Sequence, residues 1–161
     1  MIILLTGVAS VGKTTVGARL ADDLGWLFYD SDAFHPKANV EKMRQNVPLT
    51  DADRLPWLTA LRRRLDDLAR QETTAVVTCS ALKQAYRDQL LDGPGDVRLV
   101  FLKGDFALIQ ERMQKRRGHY FKADLLRSQF DALEEPASGL VIDIAQPLEA
   151  MVREIRRALG V

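Results

Sequence analysis

Eight consecutive residues near the amino terminus, Gly7-Val8-Ala9-Ser10-Val11-Gly12-Lys13-Thr14, constrain this chain more than any other stretch, because they fit the pattern GxxxxGK[ST]. Their context is what such a loop needs. Residues 2–5 ahead of it (Ile-Ile-Leu-Leu) form the near-continuous apolar run of a strand covered on both faces. Behind it, Val16, Leu20 and Leu24 fall on one helical stripe that Gly25 ends. Gly7 and Gly12 permit tight dihedrals that turn successive N–H groups toward phosphate oxygens. Val8, Ala9, Ser10 and Val11 contribute mainly backbone to that cradle, and the helix beginning near Lys13 aims its positive end at the same place. Lys13 is expected to reach the β- and γ-phosphates. The Thr14 hydroxyl is expected on Mg²⁺, with Thr15 beside it.

Apolar runs of strand length alternate with helical-period segments along the rest of the chain. Strands are expected at residues 26–29, 75–79, 97–102 and 140–144, and helices at 83–91, 106–115 and 124–133, with a last helix entering at Pro147. Leu58, Leu61, Leu65 and Leu68 mark one further helix face, with Arg62-Arg63-Arg64 mostly on its solvated side. This alternation predicts an α/β architecture: a five-stranded parallel sheet flanked by helices in three layers, within a single domain spanning residues 1–161. Ligands of such sheets bind beyond the carboxyl ends of the strands. Residues 116–123 lack a period and carry Gly118, and they are expected to form a mobile lid.

The end of the second strand separates a phosphotransferase from other nucleotide-binding proteins. No aspartate follows the third or fourth strand at once, whereas the second runs into Tyr29-Asp30-Ser31-Asp32. In an extended segment, a spacing of two puts both carboxylates in the same half-space beside the cradle. One would serve the metal and the other the proton of an attacking hydroxyl; an N-cap plus a turn aspartate is the alternative. Asp30 is assigned to the metal with Thr14, and Asp32 to catalysis and the acceptor, although the two roles are open to exchange.

The remaining composition excludes more than it assigns. The chain of 161 residues carries 23 basic and 22 acidic side chains, a net +1, which gives no global reason for a nucleic-acid or membrane partner. A single cysteine, Cys79, in an apolar run, rules out an intrachain disulfide and reads as a packed strand residue. No run approaches a membrane span or has the flanks of a signal peptide, so the expected location is the cytoplasm.

Beyond the cradle, the strings Asp30-Ser31-Asp32-Ala33-Phe34-His35-Pro36, Asp51-Ala52-Asp53-Arg54-Leu55-Pro56-Trp57-Leu58, Cys79-Ser80-Ala81-Leu82-Lys83, Tyr86-Arg87-Asp88 and Ser128-Gln129-Phe130 occur together. With them, the chain resembles the gluconate kinases, relatives of the shikimate kinases, nearly end to end. The resemblance implies a P-loop kinase fold, ATP and Mg²⁺ as cofactors, gluconate as the acceptor and a homodimer. It also implies nucleotide contacts from Arg112 and Arg116, one helical turn apart at the entry to the lid. Acceptor contacts are expected from Asp32, His35, Lys42, Arg54, Lys83, Arg87, His119 and Gln129. Read on their residues alone, Arg54 could equally be a salt-bridged helix start, His35 a loop histidine bonded to backbone, and Trp57 a core residue. A nucleotide-dependent switch that binds a protein partner is the competing class, and a kinase for another sugar acid or polyol is the competing substrate reading. The family's loop more often reads GVSGSGKS or GVSGSGKT, and glycine is usual where Ser31 and Asn46 stand. Positive φ at Ser31 would therefore mean strain.

Overall fold

The computed structural model describes residues 1–45, 47–115 and 123–161. Five strands, β1 (Ile2–Thr6), β2 (Leu27–Asp30), β3 (Ala75–Thr78), β4 (Val97–Lys103) and β5 (Leu140–Asp143), pair in parallel in the order β2-β3-β1-β4-β5. The α-helices among the described residues are α1 (Lys13–Leu24), α2 (Lys37–Arg44), α3 (Asp51–Arg70), α4 (Gln84–Leu91), α5 (Phe106–Lys115), α6 (Ala123–Ala132) and α7 (Leu148–Leu159). This is the expected five-stranded parallel α/β sheet, with strand ends within a residue or so of the expected ones.

Why β1 is apolar from Ile2 to Leu5 follows from its place in the middle of the sheet. Ile3 and Leu5 point into one core with Val16 and Leu20 of α1, Ile109 of α5, Leu126 of α6 and Val152 and Ile155 of α7. Ile2 and Leu4 point into the other, with Leu58, Leu61, Leu65 and Leu68 of α3 and Leu90 of α4. Alternate residues of one strand thus serve opposite layers, and the buried hydroxyl of Thr6, at its end, is satisfied by donating to Val100 O. No helix among the described residues is long and apolar enough to cross a membrane.

One element was not expected, and another begins at the salt-bridged helix start that the alternative reading of Arg54 offered. α2 was not anticipated, because Lys37–Arg44 buries only Asn39 and so carries no apolar period. α3 starts well before its leucine stripe. Thr50 accepts from Asp53 N while Asp53 accepts from Thr50 N, a reciprocal capping box that fixes the first turn at Asp51.

Candidate active site

At the carboxyl edge of β1 the chain must turn sharply into α1. Gly7 stands at φ 143°, and a Cβ there would meet the Leu102 carbonyl oxygen at 2.8 Å, so no side chain fits. Gly12, at φ 103°, is the N-cap of α1. Between them the loop closes on Lys13, whose Nζ donates to the carbonyls of Gly7 at 2.9 Å and Val8 at 2.8 Å. Burial pushes this ammonium below the usual lysine range, and Asp32 and Asp30 pull it back up. Val8 and Val11 are core residues beneath the loop.

The loop lines a cleft of about 270 Å³ together with the end of β2 and the start of the β3–α4 connection. Ala9, Ser10, Gly12, Lys13, Thr14 and Thr15 form one side, and Asp30, Ser31, Asp32 and Ser80 the other. Both carboxylates expected beside the cradle therefore do reach it. The segment carrying them is not extended, however. Asp30 Oδ1 accepts from Asp32 N at 3.1 Å and caps a 3-10 turn over Ser31–Phe34, so the second acid is reached by a turn. Asp30 Oδ2 meanwhile accepts from Thr14 Oγ1 at 2.9 Å. One aspartate thus ties the turn to α1, while Asp32 stands exposed in the cleft.

Strain falls elsewhere than anticipated. Ser31 is buried in the 3-10 turn and is not left-handed. Ser10 is, at φ 62°, in the variable part of the cradle; Ala81, at φ 38°, is a second left-handed residue near the cleft. Asn46 lies outside the described residues.

Beside Asp32 the 3-10 turn is held by α3. Trp57, 5% exposed, donates Nε1–H to Ser31 O at 2.7 Å and stacks on His35 at 4.3 Å between centroids. Asn39 Nδ2 donates to Asp53 O at 2.7 Å and faces His35 Nδ1 at 3.4 Å. An amide nitrogen cannot accept, so Nδ1 is the acceptor and the ring proton sits on Nε2. Burial holds this imidazole below the usual histidine range, with Arg54 reinforcing and Asp32 opposing.

The expected acceptor cations are not loose. Lys42 Nζ donates to both oxygens of Asp53, at 2.7 and 2.9 Å, and with the backbone of Thr50 it draws that carboxyl down to about 2. Lys83 Nζ sits 2.9 Å from both oxygens of Asp51, which also accepts from the Tyr86 hydroxyl. Arg54 approaches Asp51 only to 3.8 Å and lies over the Tyr86 ring at 5.9 Å. Of the three cations it is the one least committed to an aspartate. Arg87 is 1% exposed and donates to the backbone of Ala81 and Leu82 and to the Gln84 side chain, away from the cleft lining. Gln129 of α6 reaches the cradle itself, accepting from Ala9 N at 3.1 Å. Arg112 of α5 donates to Ile144 O at 2.6 Å, just after β5. Arg116, His119 and the expected lid lie outside the described residues, apart from Ala123 at the start of α6.

Ser31, Ser80, Asp51 and Trp57 were not among the expected site residues. Ser80 was within reach of the rule that ligands gather beyond strand ends, since it follows β3 directly. Trp57 and Asp51 carry no signal of their own, because their partners are distant in sequence. Chemically, the cleft pairs a phosphate cradle with a hydroxyl–carboxylate pair suited to a hard cation and a second carboxylate suited to a proton.

The comparisons with known proteins agree with this chemistry. A family model described as an AAA domain matches residues 2–138. The thermoresistant gluconokinase of Escherichia coli (strain K12) is 43% identical over 155 residues, covering 94% of this chain and 89% of that protein. The crystal structure of a gluconokinase from Sinorhizobium meliloti 1021 is 41% identical with a TM-score of 0.89, over 98% of this chain and 90% of that one. A shikimate kinase from Bacteroides thetaiotaomicron, 18% identical over 100% of this chain and 99% of its own, shares the fold with a TM-score of 0.69. On relatives matched across nearly their whole length, the chain belongs to the gluconokinase family of P-loop kinases.

Proposed function

We propose that this chain transfers the γ-phosphoryl group of ATP to the 6-hydroxyl of D-gluconate, releasing 6-phosphogluconate and ADP. The observation that carries the reading is that the cradle and Asp32 line one cleft, where a phosphoryl donor and an alcohol would meet. The cradle amides and Lys13 bind the phosphates and offset charge that builds on the transferring group. Asp32 orients the acceptor hydroxyl and takes its proton as the oxygen–phosphorus bond forms and the bond to ADP breaks. Thr14 Oγ1 and Asp30 Oδ2, 2.9 Å apart, are the hard oxygens that suit Mg²⁺, which keeps several waters and takes few protein ligands. Bound there, Mg²⁺ would spread the charge of the phosphate oxygens.

Gluconate as the acceptor is supported by the names of the matched relatives. It is also supported by Arg54, whose planar fork suits the acceptor's carboxylate. His35, with its ring proton on Nε2, is a donor for a sugar hydroxyl, and Lys42 and Lys83 are further acceptor contacts in this reading. The cytoplasm is the location and a homodimer the assembly that go with it; sedimentation at micromolar concentration reads the latter, and a monomer would remove it. The deciding experiment is ADP release measured with ATP and Mg²⁺ alone, with gluconate and with glucose. Release should depend on gluconate and be poor with glucose, which offers hydroxyls but no carboxylate. Equal use of glucose would replace gluconate by a neutral polyol, and release indifferent to any acceptor would point to a switch.

A further inference from the structure

Arg87 ranks among the largest fully buried side chains of the protein, at 1% exposure, yet none of the oxygens it donates to is a carboxylate. Nη1 donates to Ala81 O and Leu82 O, both at 2.9 Å, and Nη2 to Gln84 Oε1 at 2.7 Å. Nε has no hydrogen-bond partner among the described residues. Taking a guanidinium out of water carries a desolvation penalty, so an arginine is an unfavourable way merely to fill this space.

What it grips is unusual. Ala81 stands at φ 38°, a left-handed conformation that crowds the Cβ of an L-residue against its own carbonyl, and alanine has no polar side chain to offset it. Such a residue persists only where its surroundings over-determine it. The loop around it connects three parts of the site. Ser80, one residue earlier, lines the cleft, and its carbonyl accepts from Gly7 N at 3.4 Å. Leu82, one residue later, is buried, and its carbonyl also accepts from Glu134 N at 2.9 Å. Lys83 then leaves the loop to meet Asp51.

We propose that Arg87 is a positioning residue: its Nη1 holds the successive carbonyls of Ala81 and Leu82 while Nη2 is fixed on Gln84, which keeps Ala81 left-handed and so sets Ser80 against the cradle and Lys83 beside the acceptor. The kinetic part rests on the gluconate kinase reading; the geometric part does not.

The test is a rescue. Lysine keeps the charge but loses the planar guanidinium that Nη2 anchors on Gln84, so Arg87→Lys loosens the grip of Nη1 on the two carbonyls. Glycine takes a left-handed turn without strain, so Ala81→Gly should restore the turn when the clamp is weakened. Arg87→Lys should lower kcat/KM for gluconate by ~10-fold or more, as sub-ångström misplacement does, while affinity for a non-hydrolysable ATP analogue changes less than ~3-fold. Amide exchange of residues 80–83 should quicken. Arg87→Lys/Ala81→Gly should recover most of both losses. A direct contact between Arg87 and the acceptor predicts no recovery, and a purely structural role predicts a lower Tm with unchanged kinetics. Either result overturns the proposal. If Arg87→Lys alone does not accumulate as folded protein, the double variant must, and its failure to fold counts against the clamp. Should wild-type protein ignore gluconate altogether, the function reading falls, and exchange at residues 80–83 still decides the role of Arg87.

Discussion

The phosphate cradle and the wall of side chains beside Asp32 meet at one cleft, but they are assembled differently. From Gly7 to Thr14 the cradle is contiguous in sequence, its shape is set by backbone dihedrals, and its base is packed into the core through Val8 and Val11. The wall is gathered from the 3-10 turn, α2, α3 and the β3–α4 loop, and it is fastened by side-chain pairs: Lys42 on Asp53, Lys83 on Asp51, Trp57 on Ser31 and His35. A local backbone device can be read as a pattern, because every residue in it is constrained by its neighbours. A wall of paired side chains cannot, because each cation has both a partner and a possible ligand. The difference also separates function, with the cradle common to any phosphoryl donor and the wall specific to the acceptor.

The largest expected effect falls on the cradle. Lys13→Ala removes the ammonium that offsets charge on the transferring group, and kcat should drop by about 10³-fold with circular dichroism and Tm near those of the native protein. Turnover near wild type would break the comparison at its root, since the cradle would then not be the phosphoryl site.

The junction of the two regions comes next. Asp32→Asn keeps size and hydrogen bonding but removes the proton acceptor, and should lower kcat by about 10²-fold while ATP affinity stays nearly constant. If ATP affinity collapses and turnover does not, Asp32 belongs to the cradle with the metal, and Asp30 to the acceptor.

Within the wall, Arg54→Ala should narrow the preference for gluconate over glucose by roughly tenfold, the scale of one charge-assisted contact. Equal loss with both acceptors would make Arg54 a structural partner of Asp51 and α3, the alternative its sequence position left open.

How much of this was legible follows the same division. The sheet was, because the apolar runs at residues 2–5, 75–77 and 99–102 serve two cores. The turn of the cradle was, down to the unusual dihedrals of Gly7 and Gly12. Asp30 and Asp32 were placed in the cleft for an incomplete reason, since a turn rather than an extended strand brings them there: the Asp30 carboxylate captures the Asp32 amide, a local competition that strand patterning ignores. α2 escaped because polar helices have no apolar period. Arg87 was counted among the acceptor cations because nothing in sequence distinguishes an arginine at the cleft from one buried away from its lining.

The smallest effect is on the fastening itself. Asp53 is held at about 2 in the folded chain, chiefly by Lys42, against an ordinary aspartate value of 3.8, and Asp51 is held low by Tyr86 and Lys83. A carboxyl whose folded pKa is depressed stabilises the fold above its unfolded value and loses that contribution as pH falls toward the folded one. For Asp53 the window is therefore from about pH 4 down to about pH 2. The cradle is anchored by apolar burial and has no comparable dependence. Asp51 faces solvent and Asp53 is half-buried, so salt should weaken the Asp51 pair more than the Asp53 pair at neutral pH. Protection factors for amides of α2 and the first turn of α3 should accordingly fall, by less than about fivefold, between pH 6 and pH 3, or between low salt and 1 M salt, while those of β1 and α1 hold. Uniform loss across both regions would mean that the wall is fastened by its packing on Trp57, with the ion pairs as surface decoration. Loss confined to β1 and α1 would invert the comparison.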